Sequence, residues 1–233
     1  MKRVATNVIA LTVALLAMAA FTTNAAAALR APQVPVLGGT LQTYLNSVGE
    51  SINVATDQDA TQSWTRTSSA TTAFTIQIEN SVNANANTVS MYNSSAAVPS
   101  LFLLLSASAG PTWFSTGTFL AGNILRVNRF DDNGLLVSSQ NFPGIDPTGF
   151  SFAIQGPNGT FYTQDARNPG GRAQAVTFPG TAGNVGTWWL CFEESSVASG
   201  SDQDFDDCVL NMESVNPTPV STTSWSQLKR RFR

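Results

Sequence analysis

Histidine is absent from the 233 residues, cysteine occurs only twice, and charged residues make up 12% of the chain. The missing imidazole excludes Ser-His-Asp and Cys-His nucleophile pairs, His-ligated zinc and histidine acid/base chemistry. The charged fraction is about half the usual quarter, whereas hydrophobic residues reach 42%. Such a chain can bury a sizeable core and does not match charged, apolar-poor disorder. No G-x-S-x-G, Walker loop or dinucleotide fingerprint occurs, and no repeat of solenoid or propeller length is present. Beyond the N-terminus no apolar run reaches the ~18 residues of a membrane span.

The two ends differ in composition from what lies between them. Residues 1–28 have the pattern of a secretory signal: Lys2 and Arg3, an apolar run over 8–21, and an A-x-A cleavage site within 25–28. This predicts export, to the medium or to the cell envelope or surface. Removing Lys2 and Arg3 leaves ten basic residues against fifteen acidic ones, and four of those ten are Lys229, Arg230, Arg231 and Arg233. The body therefore carries six against fifteen. A body this anionic repels nucleic acid and anionic lipid and suits divalent cations. After Asn216-Pro217-Thr218-Pro219, a stiff extended linker, Ser224 and Gln227 stand at capping-box spacing. Trp225, Leu228 and Phe232 share one helical face, with Lys229, Arg230, Arg231 and Arg233 around it. Residues 216–233 thus read either as a linker with a short amphipathic helix that docks to sorting machinery or an envelope surface, or as a frayed end resting on the acidic body.

Between the ends, residues 29–215 read as one all-β domain of β-sandwich or jelly-roll type. Short alternating or apolar runs at 72–79, 101–105, 124–130, 134–139, 149–154, 160–163, 173–178, 187–192 and 208–215 predict about nine strands. Phe74, Ile76 and Ile78 share one side of the first run. Asp131-Asp132-Asn133-Gly134 and Pro157-Asn158-Gly159 signal turns, residues 41–48 a short helix, and the Ser/Thr/Asn-rich stretch 80–96 loops.

The most informative segment is 188–215. Glu193, Glu194, Asp202, Asp204, Asp206 and Asp207 place six carboxylates in fifteen residues, which repel one another unless a cation sits among them. Alternating hard oxygen ligands suit calcium, which takes 6–8 oxygens. The D-x-D-x-D start and Glu213 match EF-hand positions 1, 3, 5 and 12, but the glycine position holds Asp207 and the flanks read as strands. In an extended strand Glu213 would lie about 20 Å from Asp206. A calcium-binding β-loop is therefore the expected form, set against a solvated acidic loop. Cys191 and Cys208 bracket the loop, and in an exported chain they predict a disulfide contributing roughly 3 kcal/mol. Thiolate catalysis has no support among so many carboxylates. Trp188 and Trp189 are adjacent in a strand, so one ring should point outward, where it could stack on a sugar. Asp131 and Asp132 could in principle serve glycoside hydrolysis, but the D-D-N-G context favours turn residues.

At this hairpin the sequence resembles domain-of-unknown-function family 4114. Trp189-Leu190-Cys191-Phe192-Glu193-Glu194 matches its hydrophobic-F-E-D run, and Asp202-Gln203-Asp204-Phe205-Asp206-Asp207-Cys208 its D-x-D-[YF]-N-D-hydrophobic run. Weaker matches at 51–58, 76–92 and 162–168 follow in the family's order, so the resemblance spans roughly 40–215. It implies a secreted or envelope protein with no established enzymatic activity and an acidic motif suggestive of calcium. Glu193, Asp202, Asp204 and Asp207 stand at the matching acidic positions, with Glu194 in place of Asp and Asp206 where Asn is frequent. The family often ends in a PEP-type exosortase signal, whose apolar span this chain lacks; no transmembrane anchor is therefore expected after signal removal. The expectation is a calcium-binding, non-catalytic surface or matrix structural protein, with envelope or matrix components as partners. The alternatives are a carbohydrate-binding module and, third, a carboxylate-based hydrolase.

Overall fold

The computed structural model describes residues 39–67 and 71–218. The expected signal at 1–28, and the expected docking face of Trp225, Leu228, Lys229, Arg230, Arg231, Phe232 and Arg233, lie outside the described residues.

Among the described residues one α-helix and thirteen strands follow in chain order. They are α1 (Thr40–Ser47), β1 (Trp64–Arg66), β2 (Thr71–Ile78), β3 (Thr88–Asn93), β4 (Phe102–Leu105), β5 (Phe114–Leu120) and β6 (Ile124–Phe130). Then come β7 (Leu136–Pro143), β8 (Phe150–Gly156), β9 (Gly159–Tyr162), β10 (Ala175–Pro179), β11 (Trp188–Phe192), β12 (Cys208–Glu213) and β13 (Val215–Pro217). They form two antiparallel sheets: β13-β1-β8-β3-β4, with β9 also on β8, and β10-β11-β12-β2-β5-β6-β7. The all-β class is thus as the alternating patterns predict.

Alternation explains how the two sheets meet. Phe74 and Ile76 of β2, Leu125 and Val127 of β6, and Leu210 and Met212 of β12 turn inward onto Met91, Phe150, Phe152 and Ile154 of the other sheet. Aromatic edges lock the middle, with Trp64 and Phe74 each T-shaped against Phe152. A second, smaller core lies on the opposite face of the seven-stranded sheet, where Leu41 and Leu45 of α1 cover Val176, Phe178, Trp189, Cys191 and Val209. Strand β11 is therefore buried along its whole length, because an apolar layer covers each face.

Three side-chain placements differ from expectation. First, Cys191 and Cys208 are free, buried thiols. Cys191 pairs with Val209 and Cys208 with Phe192, so the cysteines are offset by one residue on adjacent strands. Their side chains point to opposite faces of the sheet, Cys191 into the smaller core and Cys208 into the larger. A disulfide cannot span that arrangement. Second, neither Trp188 nor Trp189 offers a ring to solvent: Trp188 enters the inter-sheet core and Trp189 the core beneath α1. Third, Ile78 does not share the face of Phe74 and Ile76. Val209 aligns with Ile78 but Leu210 with Ile76, so an extra residue in β2 turns Ile78 to the smaller core.

Three strands lie in regions that carry no strand prediction. Within the expected loops of 80–96, Thr88–Asn93 forms β3, paired on both sides with β4 and β8. Strands β1 and β5 also fall outside the nine alternating or apolar runs. Asn216 and Pro217, expected in the linker, belong to β13 and align with Thr65 and Trp64.

Candidate metal centre

The acidic loop 193–207 joins β11 to β12, whose hairpin ladder ends at the Phe192–Cys208 pair. Two apolar anchors hold it: Val197 and Phe205 are buried in the core beneath α1. Gln174, fully buried just before β10, accepts from the Val197 amide at 2.6 Å and donates to the Ser195 carbonyl at 2.7 Å. Gln203 and Phe205 adopt positive φ of 64° and 60°, a conformation costly for non-glycine residues. The alternation brings Phe205 inward and leaves Asp202, exposed, and Asp204, half-buried, on the rim.

Glu193 is the centre of this loop. Its side chain is fully buried, with one oxygen accepting the Phe205 amide at 2.6 Å and the other the Ser201 hydroxyl. One carboxylate oxygen each from Glu193, Asp202 and Asp204 lie within 4.8 Å of one another. Two oxygens on one calcium ion at ~2.3–2.6 Å can be no more than about 5.2 Å apart, so the three carboxylates can share an ion. The adjoining pocket of about 240 Å³ is lined by Asn80, Val82, Glu193, Glu194, Asp202 and Asp207 among others.

The remaining expected ligands are placed differently. Glu194 is buried and accepts from Asn83 at 2.7 Å, Asn87 at 2.7 Å and the Ser81 hydroxyl. It ties the loop to the 80–87 segment. Asp206 is buried and accepts from the Asn80 amide at 3.3 Å on each oxygen. Asp207 accepts the Glu194 backbone N–H at 2.8 Å and lines the pocket. These three carboxylates shape the loop, while Glu193, Asp202 and Asp204 converge.

The electrostatics follow from this crowding. Burial pushes the Glu193 carboxyl up to about 7, against the lowering effect of Ser201 and Phe205, and the charges of Asp207 and Asp204 add to the rise. Burial, then the Asp204 charge, raises Asp206 to about 6. Asp207 is raised to about 6 by burial, with Glu194, Asp202 and Asp204 adding charge and the Glu194 amide opposing. Glu79, the residue after β2, reaches about 7 through burial and the Glu194 charge. Four carboxyls are thus destabilised in their ionised forms near neutral pH, the condition a divalent cation relieves.

Sequence reasoning missed the supporting amides and hydroxyls: Asn80, Ser81, Asn83, Asn87, Gln174 and Ser201. The Asn-rich composition of 80–87 carries a weak signal, but nothing in the sequence marks Gln174. It also missed Glu50, a buried carboxylate on the far side of Trp189. Glu50 accepts from the Trp189 indole at 2.8 Å, from Asn184 at 2.7 Å, and from both the amide and hydroxyl of Thr181. Burial raises its pKa, yet these four donors together hold it below the usual carboxylate value. Asp131 accepts the amides of Asn133 and Leu135 at 2.9 and 2.8 Å, as the turn expectation has it.

No family model, no curated protein and no solved structure matches this chain.

Proposed function

We propose that this chain is an exported, non-catalytic β-sandwich of the cell surface or extracellular matrix, in which calcium locks the loop 193–207. The observation that carries this reading is the convergence of Glu193, Asp202 and Asp204 oxygens within 4.8 Å. The donor set is all carboxylate, with serine hydroxyls and amides behind it, and hard oxygen donors favour calcium over softer metals. An ion bound there would complete its coordination with backbone oxygens or water, as calcium's 6–8 ligands require. It would offset the repulsion among the acidic groups, so folding and ion binding would be linked. Export rests on the 1–28 pattern, and contact with sorting machinery or envelope components rests on the basic segment around Trp225 and Phe232.

Differential scanning calorimetry with calcium and with chelator tests the reading. At a hundredfold excess over Kd, calcium should stabilise the fold by about 2.7 kcal/mol, which for a domain of this size is a rise of roughly 5–10 °C. A midpoint unchanged by verified calcium removal would refute it.

A further inference from the structure

We propose that β7 is a self-association edge, on which a second copy of this chain pairs its own β7 antiparallel about a two-fold axis near Gln140. Strand β7 ends the seven-stranded sheet, and its eight residues span ~27 Å. An edge presents unpaired backbone N–H and C=O groups, and only another extended backbone can satisfy them in sequence.

The other edges of the two sheets are closed or short. Strand β10 is bridged by Asp59, whose amide donates to the Thr177 carbonyl at 2.8 Å. Two β4 carbonyls, of Leu103 and Leu104, accept from the Arg129 guanidinium. Asn168 closes β9 by accepting the Tyr162 amide and donating to the Tyr162 carbonyl, both at 2.8 Å. Strand β13 is three residues long and ends in Pro217. Among the described residues the long open edge is β7, so the complementary edge on a second copy is β7 itself, an isologous contact.

The side chains fit this occupant. Leu135, Leu136 and Val137 are 65%, 58% and 55% exposed. Leu136 continues an outward apolar row across the Phe130–Leu136 pair to the stacked rings of Phe114 and Phe130. No charged residue occurs from Asn133 to Ile145, so two acidic chains can meet here without like charges facing each other. The lysines, inward charges or interior prolines that usually guard an edge are missing; the irregularity at Phe130 leaves Val137 as an extra residue and confines the new ladder to residues 138–142. About Gln140, Ser138 faces Phe142 and Ser139 faces Asn141 of the second copy. The acidic loop lies beyond β12, at the other end of the same sheet, so this pairing stands or falls separately from calcium binding.

Sedimentation velocity across a concentration series, on the wild type and on the double variant Val137→Lys/Ser139→Lys, provides the test. The expected result is a reversible dimer in the wild type. Its Kd should weaken at least tenfold in the double variant, whose melting temperature at a dilution where both proteins are monomeric stays close to the wild type's, because both residues are exposed and only the exposed Ser139–Asn128 hydrogen bond is lost. In parallel, Gln140→Cys should cross-link to a covalent dimer under mild oxidation, with Val185→Cys as an exposed control that does not; the native thiols are buried. A wild type monomeric at every concentration, a dimer or larger assembly that survives the two lysines, or equal cross-linking of the two cysteine variants would overturn the proposal.

Discussion

Replacing Glu193 by Gln should change stability with opposite signs in chelator and in calcium. The Glu193 carboxyl titrates near 7 in the folded protein against 4.5 for an ordinary Glu. Because its folded pKa is raised, its favourable contribution is complete below pH 4.5 and is lost as pH rises through 7. That interval corresponds to roughly 3 kcal/mol at ~1.4 kcal/mol per pH unit. An amide removes the ionisation penalty, but it offers one acceptor where Phe205 and Ser201 supply two donors. The lost hydrogen bond costs about 1 kcal/mol. In chelator at pH 8 the variant should therefore gain about 2 kcal/mol, or roughly 4–8 °C in Tm. In calcium at a thousandfold excess over Kd the wild type gains about 4.1 kcal/mol that the variant lacks, and the order reverses. Thermal melts of both proteins at pH 5 and pH 8, with calcium and with chelator, measure this. A variant less stable by the same amount in both media would refute the reasoning, since it would make Glu193 an ordinary structural acceptor.

Other perturbations have equally definite outcomes. Truncating Glu50 to Ala leaves the buried Trp189 indole and the part-buried donors of Thr181 and Asn184 without their acceptor and should cost about 1–3 kcal/mol by urea unfolding. Because the Glu50 pKa is depressed in the fold, its own contribution is present above the ordinary Glu value and fades as pH falls through its folded value. Reductant should leave the melting temperature unchanged, and denaturation without reductant should expose two titratable thiols, because Cys191 and Cys208 are free; a single covalent bridge by mass spectrometry would contradict the offset register. Phe205→Ala should cost about 3–5 kcal/mol and weaken calcium binding by calorimetry, since the ring and its amide seat Asp204 against Glu193.

The sequence displayed the sheets better than their connections. Strands with clean alternation, such as Ile124–Phe130, or with apolar runs bounded by turns, such as Trp188–Phe192, were legible because one or two faces are buried. Strand β3 was hidden because Thr88, Ser90 and Asn93 sit among many polar neighbours, although Val89 and Met91 carry the inward pattern. The disulfide expectation failed on parity: two cysteines bracketing a hairpin loop look adjacent, but a register offset of one residue sends them to opposite faces. The same alternation misplaced the outward tryptophan, since nothing local in 188–192 shows that α1 covers the far face. At the acidic loop the carboxylates were visible as a cluster. Their division into three converging groups and three loop supports was not, because it depends on Asn80, Ser81, Asn83 and Asn87, more than a hundred residues upstream.

Equilibrium dialysis of the purified chain against calcium, with elemental analysis of the retained metal, tests the central claim most directly. The convergence of Glu193, Asp202 and Asp204 predicts saturable binding of one calcium per chain, lost in Asp202→Asn/Asp204→Asn. No calcium retained above the level of that double variant would contradict it.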